Sequence, residues 1–440
     1  MSEVSLKEIN KIAIPAIFAG ISEPLISLGD AAVLGQLPDK VEVMSGVANA
    51  TAFYLTIVWV LAQMKSAISS MVSRFLGKDD LNELRHLVPQ TILMSFFLGC
   101  VFMVMTTPGI EWLMGKLYGL DGDALRYSVS YYKIRAIGFP FVLAAFTIFG
   151  VFRGLQNTFW PMVISLSCGI INIILDYILV LGVDGVYSGM GSDGAAWASL
   201  SVQVIMFIAA LVLHKTKTPF RWELGRKLDF HLKELSSLAG NLILRTIALN
   251  FTILLCHRYA TSYSNAHNAA HSIAYNIWIF AAFFIDGYSN AANAIGGKLK
   301  GAKDFVKMQS LMQKILKFNI GIAVGLSMIL LLLYNQIGPF FNDDPDVVRL
   351  FESIFWIMLL LLPINSVAFS MDGLFKGFGE GKFLRNVLFI ASFIVFAPLL
   401  MVSDSFELEL NSVWIALAGW MIVRAILPYL SYLNMLKSNT

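Results

Sequence analysis

Apolar residues dominate long, nearly unbroken runs of the chain, and polar residues gather between them. A run of roughly 20 apolar residues is long enough to cross a bilayer as a helix. Twelve such runs are predicted, centred near Gly20, Val58, Phe97, Leu143, Ile171, Val204, Asn250, Ile279, Val324, Leu361, Phe393 and Met421. Turn residues and charged clusters separate most of them. The least marked boundary is the short polar stretch from Tyr259 to Asn268, between the seventh and eighth. The longest polar linker, from His214 to Leu235, divides the helices six and six. The pattern predicts a polytopic all-α membrane protein with a first lobe over residues 1–214, a cytoplasmic linker over 215–235 and a second lobe over 236–440.

Charge adds an orientation. The termini and even-numbered loops hold about 20 of the 32 Lys and Arg, and the odd-numbered loops about 7. The odd loops are acidic instead, as at Asp343, Asp344 and Asp346. An excess of positive charge marks the cytoplasmic side, so both termini are expected there. The halves also resemble each other. Ser73 to Asp80 is similar to Gly297 to Asp304, and Val151 to Gly154 is similar to Leu374 to Gly377, at offsets of about 224 and 223 residues. An even helix number in each half makes the repeats parallel, so two lobes related by a pseudo-twofold along the membrane normal are expected.

Composition narrows the function. The chain is 57% hydrophobic and 14% charged, with a mean hydropathy of +0.70; soluble domains carry about 25% charged residues. A net charge of +3 gives no reason to expect a nucleic-acid partner. Cys100, Cys168 and Cys256 fall in or beside apolar runs and form neither a disulfide framework nor a metal spacing. No zinc-protease, nucleophile-elbow or phosphate-loop motif is present, so neither an enzyme nor an ATP-driven pump is expected, and no metal or organic cofactor. The first apolar run holds an acid and lacks a small-residue cleavage site after it, so it reads as a retained helix.

Candidate chemistry lies in the polar residues inside those runs. Asp30 shares one face of the first helix with Glu23 and Ser27. A charge at that depth costs about 2.5–3.5 kcal/mol on insertion scales, so Asp30 needs a water-filled cavity, a partner or a proton. Asn172 and Asp176 share a face of the fifth helix by their i, i+4 spacing. Together with Asp30 they offer a site for a proton or a cation; the competing reading is a polar contact pinning helices, worth about 0.6 kcal/mol. Two carboxylates in one dry site cannot both ionise cheaply, so one proton is expected to be held there. Lys65 could pair with Asp30 or Glu23, meet a negatively charged substrate, or snorkel to an interface. In the second half, Arg245 and Arg424 have Asp286 and Asp372 as natural counter-charges, with structural pairing favoured over substrate contact. His267 and His271 read as a helix-end pair without a third zinc ligand; His271 alone could be a pH-sensitive substrate contact. Tyr54, Phe139, Phe146 and Trp278 are aromatic candidates for a cavity lining.

Four stretches carry a family resemblance: Pro24 to Leu37 with its Asp30, Phe152 to Thr158 followed by Pro161, Asn172 to Asp176, and Gly194 to Ser199. In order and spacing the chain resembles the multidrug and toxic compound extrusion (MATE) transporters, DinF-like branch, and the internal duplication extends the likeness over the whole chain. The resemblance implies an antiporter that exports small amphipathic or cationic organic molecules by alternating access. It implies coupling to a proton first and sodium second, in a multi-pass protein of the cell membrane, here expected to be a monomer. Asp30, Asn172, Asp176 and Ser199 match the family's coupling positions, and Pro15 and Pro24 are both placed to bend the first helix. The chain departs from the NorM-like pattern at the seventh helix, which has Arg245 and no acid, and from the DinF-like tendency at Lys65. The alternative is a lipid-linked precursor flippase of the wider superfamily, for which Lys65 and Arg245 are too few basic residues.

Overall fold

A computed structural model describes residues 3–37, 40–183 and 186–439, without the side chains of 22–25, 27, 28, 40 and 439. Among the described residues, seventeen α-helices follow one another: α1 Leu6–Leu34, α2 Lys40–Leu61, α3 Gln63–Gly77, α4 Leu87–Thr106, α5 Ile110–Lys116, α6 Gly122–Ala136, α7 Phe139–Gly154, α8 Phe159–Asp176, α9 Ser192–Lys217, α10 Leu232–Tyr263, α11 Asn265–Gly301, α12 Phe305–Leu332, α13 Tyr334–Phe341, α14 Pro345–Gly377, α15 Gly381–Phe389, α16 Ala397–Asp404 and α17 Leu410–Asn439. Among the described residues, ten helical stretches are long and apolar enough to cross a membrane, and the bent pair α6 and α7 makes an eleventh. α1, with 29 residues, occupies the position of the first predicted span. Each predicted centre falls within one of these twelve stretches. The fourth span is not straight: α6 and α7 meet at 51°, where Gly138 precedes α7 and Pro140 sits in its first turn. Proline fixes φ and lacks an N–H, which suits a helix start and not an interior. The predicted boundary between the seventh and eighth spans is one residue long. Ser264 ends α10 and caps α11, its Oγ accepting from the His267 N–H at 3.3 Å.

The residues group into two compact units that depart from the two halves of the chain. One is Phe18–Val72 with Asp80–Leu235; the other is Met1–Ile17, Ser73–Asp79 and Ser236–Thr440. Residues 215–235 group with the first unit. Gln90 Nε2 donates to the carbonyls of Leu224 (2.6 Å) and Lys227 (2.9 Å), Gln90 Oε1 accepts from the Asp229 N–H at 2.8 Å, and His231 Nε2 meets Glu83 Oε1 at 2.9 Å. α1 contributes to both units, the division falling between Ile17 and Phe18. Pro15 lies inside α1, which continues through it; Pro24 and Glu23 lie outside the described side chains.

The duplication recurs as local geometry. In the first unit, α7 packs on α3 through Gly150 and Gly154, where a methyl group would overlap the carbonyls of Lys65 and Ser69. In the second unit, α14 packs on α11 through Gly373 and Gly377, facing the carbonyls of Ser289 and Asn293 in the same way. Small residues four apart let membrane helices approach until their backbones touch. The left-handed residues repeat too: Asp79 (φ 59°) stands 224 residues before Lys303 (φ 56°), and Gln156 (φ 64°) stands 223 before Gly379 (φ 78°).

Asp304, outside the spans, caps α12: its Oδ1 accepts from the Lys307 N–H at 3.0 Å and its Oδ2 pairs with Lys307 Nζ at 2.9 Å. The backbone hydrogen bond, then the lysine charge, hold its carboxyl below the usual carboxylate range. A carboxyl held low stabilises above its unfolded-state range and loses that contribution as pH falls through its own. Asp304→Ala is expected to cost about 1 kcal/mol at neutral pH and progressively less on acidification. Thermal unfolding of both proteins across pH 3–7 (a range of about that width is set by carboxylate titration) checks this.

Candidate functional site

The fifth span buries one stripe. Pro161, Ile164, Cys168, Gly169, Asn172 and Asp176 are buried on α8, whereas Ile170 and Ile174 are exposed. Two polar side chains thus lie on the packed face of an otherwise apolar helix. α1 comes close to that face through reciprocal glycines. A Cβ on Gly29 would sit 3.0 Å from Ile173 Cγ1, and one on Gly169 would sit 3.3 Å from Ile26 Cγ1. The approach brings Asp30 to the fifth span. Asn172 Nδ2 donates to Asp176 Oδ2 at 2.6 Å and to Asp30 Oδ1 at 3.3 Å. The Asp30 and Asp176 carboxyls also lie within hydrogen-bonding reach of each other. Asp176 Oδ1 is buried and faces no donor among the described residues. A five-residue π turn, Tyr177–Leu181, begins directly after Asp176, a local widening common at functional sites.

The cluster also has a resident cation. Arg135, at the end of α6, is 8% exposed. Its guanidinium carbon lies 4.5 Å from the ring centre of Tyr54 and 5.9 Å from that of Tyr131. Its charge acts on both Asp30 and Asp176. Tyr54 stacks on Phe139 at 4.6 Å and donates to Gln203 Oε1 at 3.2 Å. Two acids and one arginine leave one net negative charge, which a single bound cation would bring to the neutrality that a low-dielectric interior favours. Sequence reasoning missed Arg135 because a span centred near Leu143 leaves it on the outer flank, and the Gly138–Pro140 bend that turns α6 inward is a tertiary feature. The available signal was the i, i+4 face Tyr127, Tyr131 and Arg135.

The other candidates are placed as follows. Ser199, on α9, is buried, but its Oγ makes no hydrogen bond among the described residues and does not join the acid cluster. Lys65 Nζ lies 5.3 Å over the Phe146 ring and 5.9 Å over that of Phe149. In the second unit Asp372 bonds both Arg245 and Arg424, while Asp286 is exposed and accepts from Asn290 Nδ2 at 2.9 Å. His267 Nε2 lies 2.8 Å from Glu409 Oε2. His271 is fully buried, 4.7 Å from the His257 ring and 5.9 Å from that of Trp414, with no hydrogen bond to either ring nitrogen among the described residues. No group of three metal-ligating side chains occurs among the described residues. A cavity of about 400 Å³ in the first unit is lined by Leu37, Val43, Tyr127 and Asp193, among others, and its lining includes neither Asp30 nor Asp176.

Comparison with known proteins bears on the family and the fold. The sequence matches the MatE family over residues 15–178 and 241–402. It is 24% identical over 432 residues to Protein DETOXIFICATION 44, chloroplastic, of Arabidopsis thaliana, covering 95% of this chain and 80% of that one. It is 23% identical over 420 residues to DNA damage-inducible protein F of Escherichia coli K12, covering 94% and 89%. A probable multidrug resistance protein NorM of Thermotoga maritima is 24% identical over 446 residues, covering 97% and 92%. The fold superposes on the crystal structure of a MATE protein in the bent conformation with a TM-score of 0.90 at 18% identity, over 98% of this chain and 96% of the other.

Proposed function

The chain belongs to the MatE family, and we propose that it is a proton-coupled antiporter exporting small amphipathic organic molecules across the cell membrane, with both termini cytoplasmic. It is a multi-pass membrane protein with a transporter fold. The reading of the coupling ion is carried by one observation, the hydrogen-bonded cluster of Asp30, Asn172 and Asp176 on two spans of one unit. A proton entering this cluster neutralises it beside Arg135; a proton leaving it uncovers a buried negative charge. Protonation moves a conformational equilibrium only if the two states bind the proton unequally. The cluster meets that condition because its acids sit on α1 and α8, so any displacement of α1 against α8 changes how well the proton is shared. Sodium is the second candidate, since the same oxygens could hold it, but Arg135 disfavours a further metal charge by repulsion.

Purified wild-type protein in liposomes tests the reading. Accumulation of a cationic dye, ethidium, and an anionic one, fluorescein, is followed under an imposed pH gradient and separately under a sodium gradient. Movement of either dye that follows the pH gradient and ignores sodium is expected. Movement that follows sodium alone removes the proton, and no response to either gradient removes coupled antiport.

A further inference from the structure

Arg245 on α10, Asp372 on α14 and Arg424 on α17 meet inside the second unit with 4%, 6% and 2% of their surfaces exposed. Both guanidiniums donate to the same carboxylate oxygen. Arg424 Nη2 reaches Asp372 Oδ2 at 3.0 Å, and Arg245 Nη2 makes a shorter contact with it. Arginine stays charged in proteins, so the cluster holds two positive charges against one negative. Among the described residues Asp372 is the one acid ion-paired with either arginine. Lys376, one turn further along α14, adds its positive field at Asp372.

A purely structural pair needs one arginine. The second is an uncompensated charge at membrane depth, which costs free energy unless something arrives to balance it. Donors are also left over. The Nε atoms of Arg245 and Arg424 are buried and face no acceptor among the described residues. Among the described residues Arg424 Nη1 has only the Met421 sulfur, at 3.3 Å, and a thioether is a weak acceptor. Apolar surface surrounds these donors: the Arg424 guanidinium carbon lies 4.3 Å from the ring centre of Trp420 and 5.6 Å from that of Phe369.

We infer that Arg245 and Arg424, held by Asp372, form a binding site for the carboxylate of a small amphipathic organic anion, with Trp420 and Phe369 against its apolar body. Guanidinium groups offer paired N–H donors that match a carboxylate's two oxygens, and the incoming charge brings the cluster to neutrality. The cluster is closed in this conformation, so loading requires the state in which the unit's interior opens. Only the statement that the anion is cargo rests on the transport reading; the site itself does not.

Equilibrium binding of radiolabelled benzoate to the full chain in detergent tests the site. Benzamide, the neutral isostere, and benzylamine, its cationic counterpart, serve as competitors. Saturable benzoate binding that neither competitor displaces is expected. Arg424→Gln leaves Arg245 and Asp372 as a one-to-one pair, and is expected to keep its unfolding temperature while weakening benzoate binding by about tenfold or more. Arg424→Lys keeps the charge but not the fork, and is expected not to restore affinity. Absence of saturable benzoate binding, equal competition by benzamide, or wild-type affinity in Arg424→Gln each overturns the site. Displacement by an equal concentration of chloride overturns the carboxylate assignment. Should Arg424→Gln fail to fold, the benzoate–benzamide contrast on the wild type decides. Detergent solution holds no gradient, so failure here and failure of ion coupling are read separately.

Discussion

Asp372→Asn is expected to destabilise the purified protein by about 3–5 kcal/mol, the largest single loss in the second unit. The substitution keeps the shape of the side chain and removes its charge. Two arginines are then buried against each other with no acid between them, and neither can shed its proton. The asymmetry with Arg424→Gln follows from the same count of charges: removing the surplus cation leaves a balanced pair, whereas removing the anion leaves two unbalanced ones. Asp372→Asn combined with Arg424→Gln should therefore recover part of the loss. Unfolding in mixed micelles, followed by tryptophan fluorescence, measures all three variants. A loss below about 1 kcal/mol in Asp372→Asn, within the range of an exposed pair, would show that water reaches the cluster and that its charges are screened.

Asp30→Asn is expected to lower transport driven by a pH gradient by at least about tenfold, and Asp176→Asn to do the same. Asparagine can hold the hydrogen bonds of a protonated acid but cannot release the proton. Each variant is thus fixed near the neutral form of the cluster, and exchange of substrate for substrate without a gradient should persist. Asn172 donates to both acids; on the proposed reading they hold one proton through that network, so their effects should not add: the double variant should transport no worse than either single one. Losses that multiply would mean that the two carboxyls act at separate steps. Gradient-following transport by Asp30→Asn would remove Asp30 from coupling altogether.

Much of this protein could be read along the chain because a bilayer is an exacting solvent. It requires long apolar helices whose backbone bonds close internally, so the spans and their centres follow from hydropathy. The duplication was legible for a related reason. The glycines of Val151–Gly154 and Leu374–Gly377 end helices that pack backbone to backbone, where no larger residue fits. Intramembrane polar residues were equally visible, since each one in an apolar run needs a reason to be there.

What each polar residue meets was not legible. Periodicity puts Asn172 and Asp176 on one face of α8, but only the reciprocal approach of Gly29 and Gly169 brings Asp30 to that face. The bend between α6 and α7 carries Arg135 to the acids, while Ser199, on a matching motif, makes no bond with them. Arg245 and Arg424 were visible as charges, yet their sharing of a single Asp372 oxygen, with Asp286 left at the surface, depends on how α10, α14 and α17 pack. One chain therefore dictates how many helices it makes and which residues cannot face lipid, because both depend on solvent and local periodicity. Which buried charge balances which is decided by the folded structure alone, because Coulomb energy depends on distances between residues that lie far apart along the sequence.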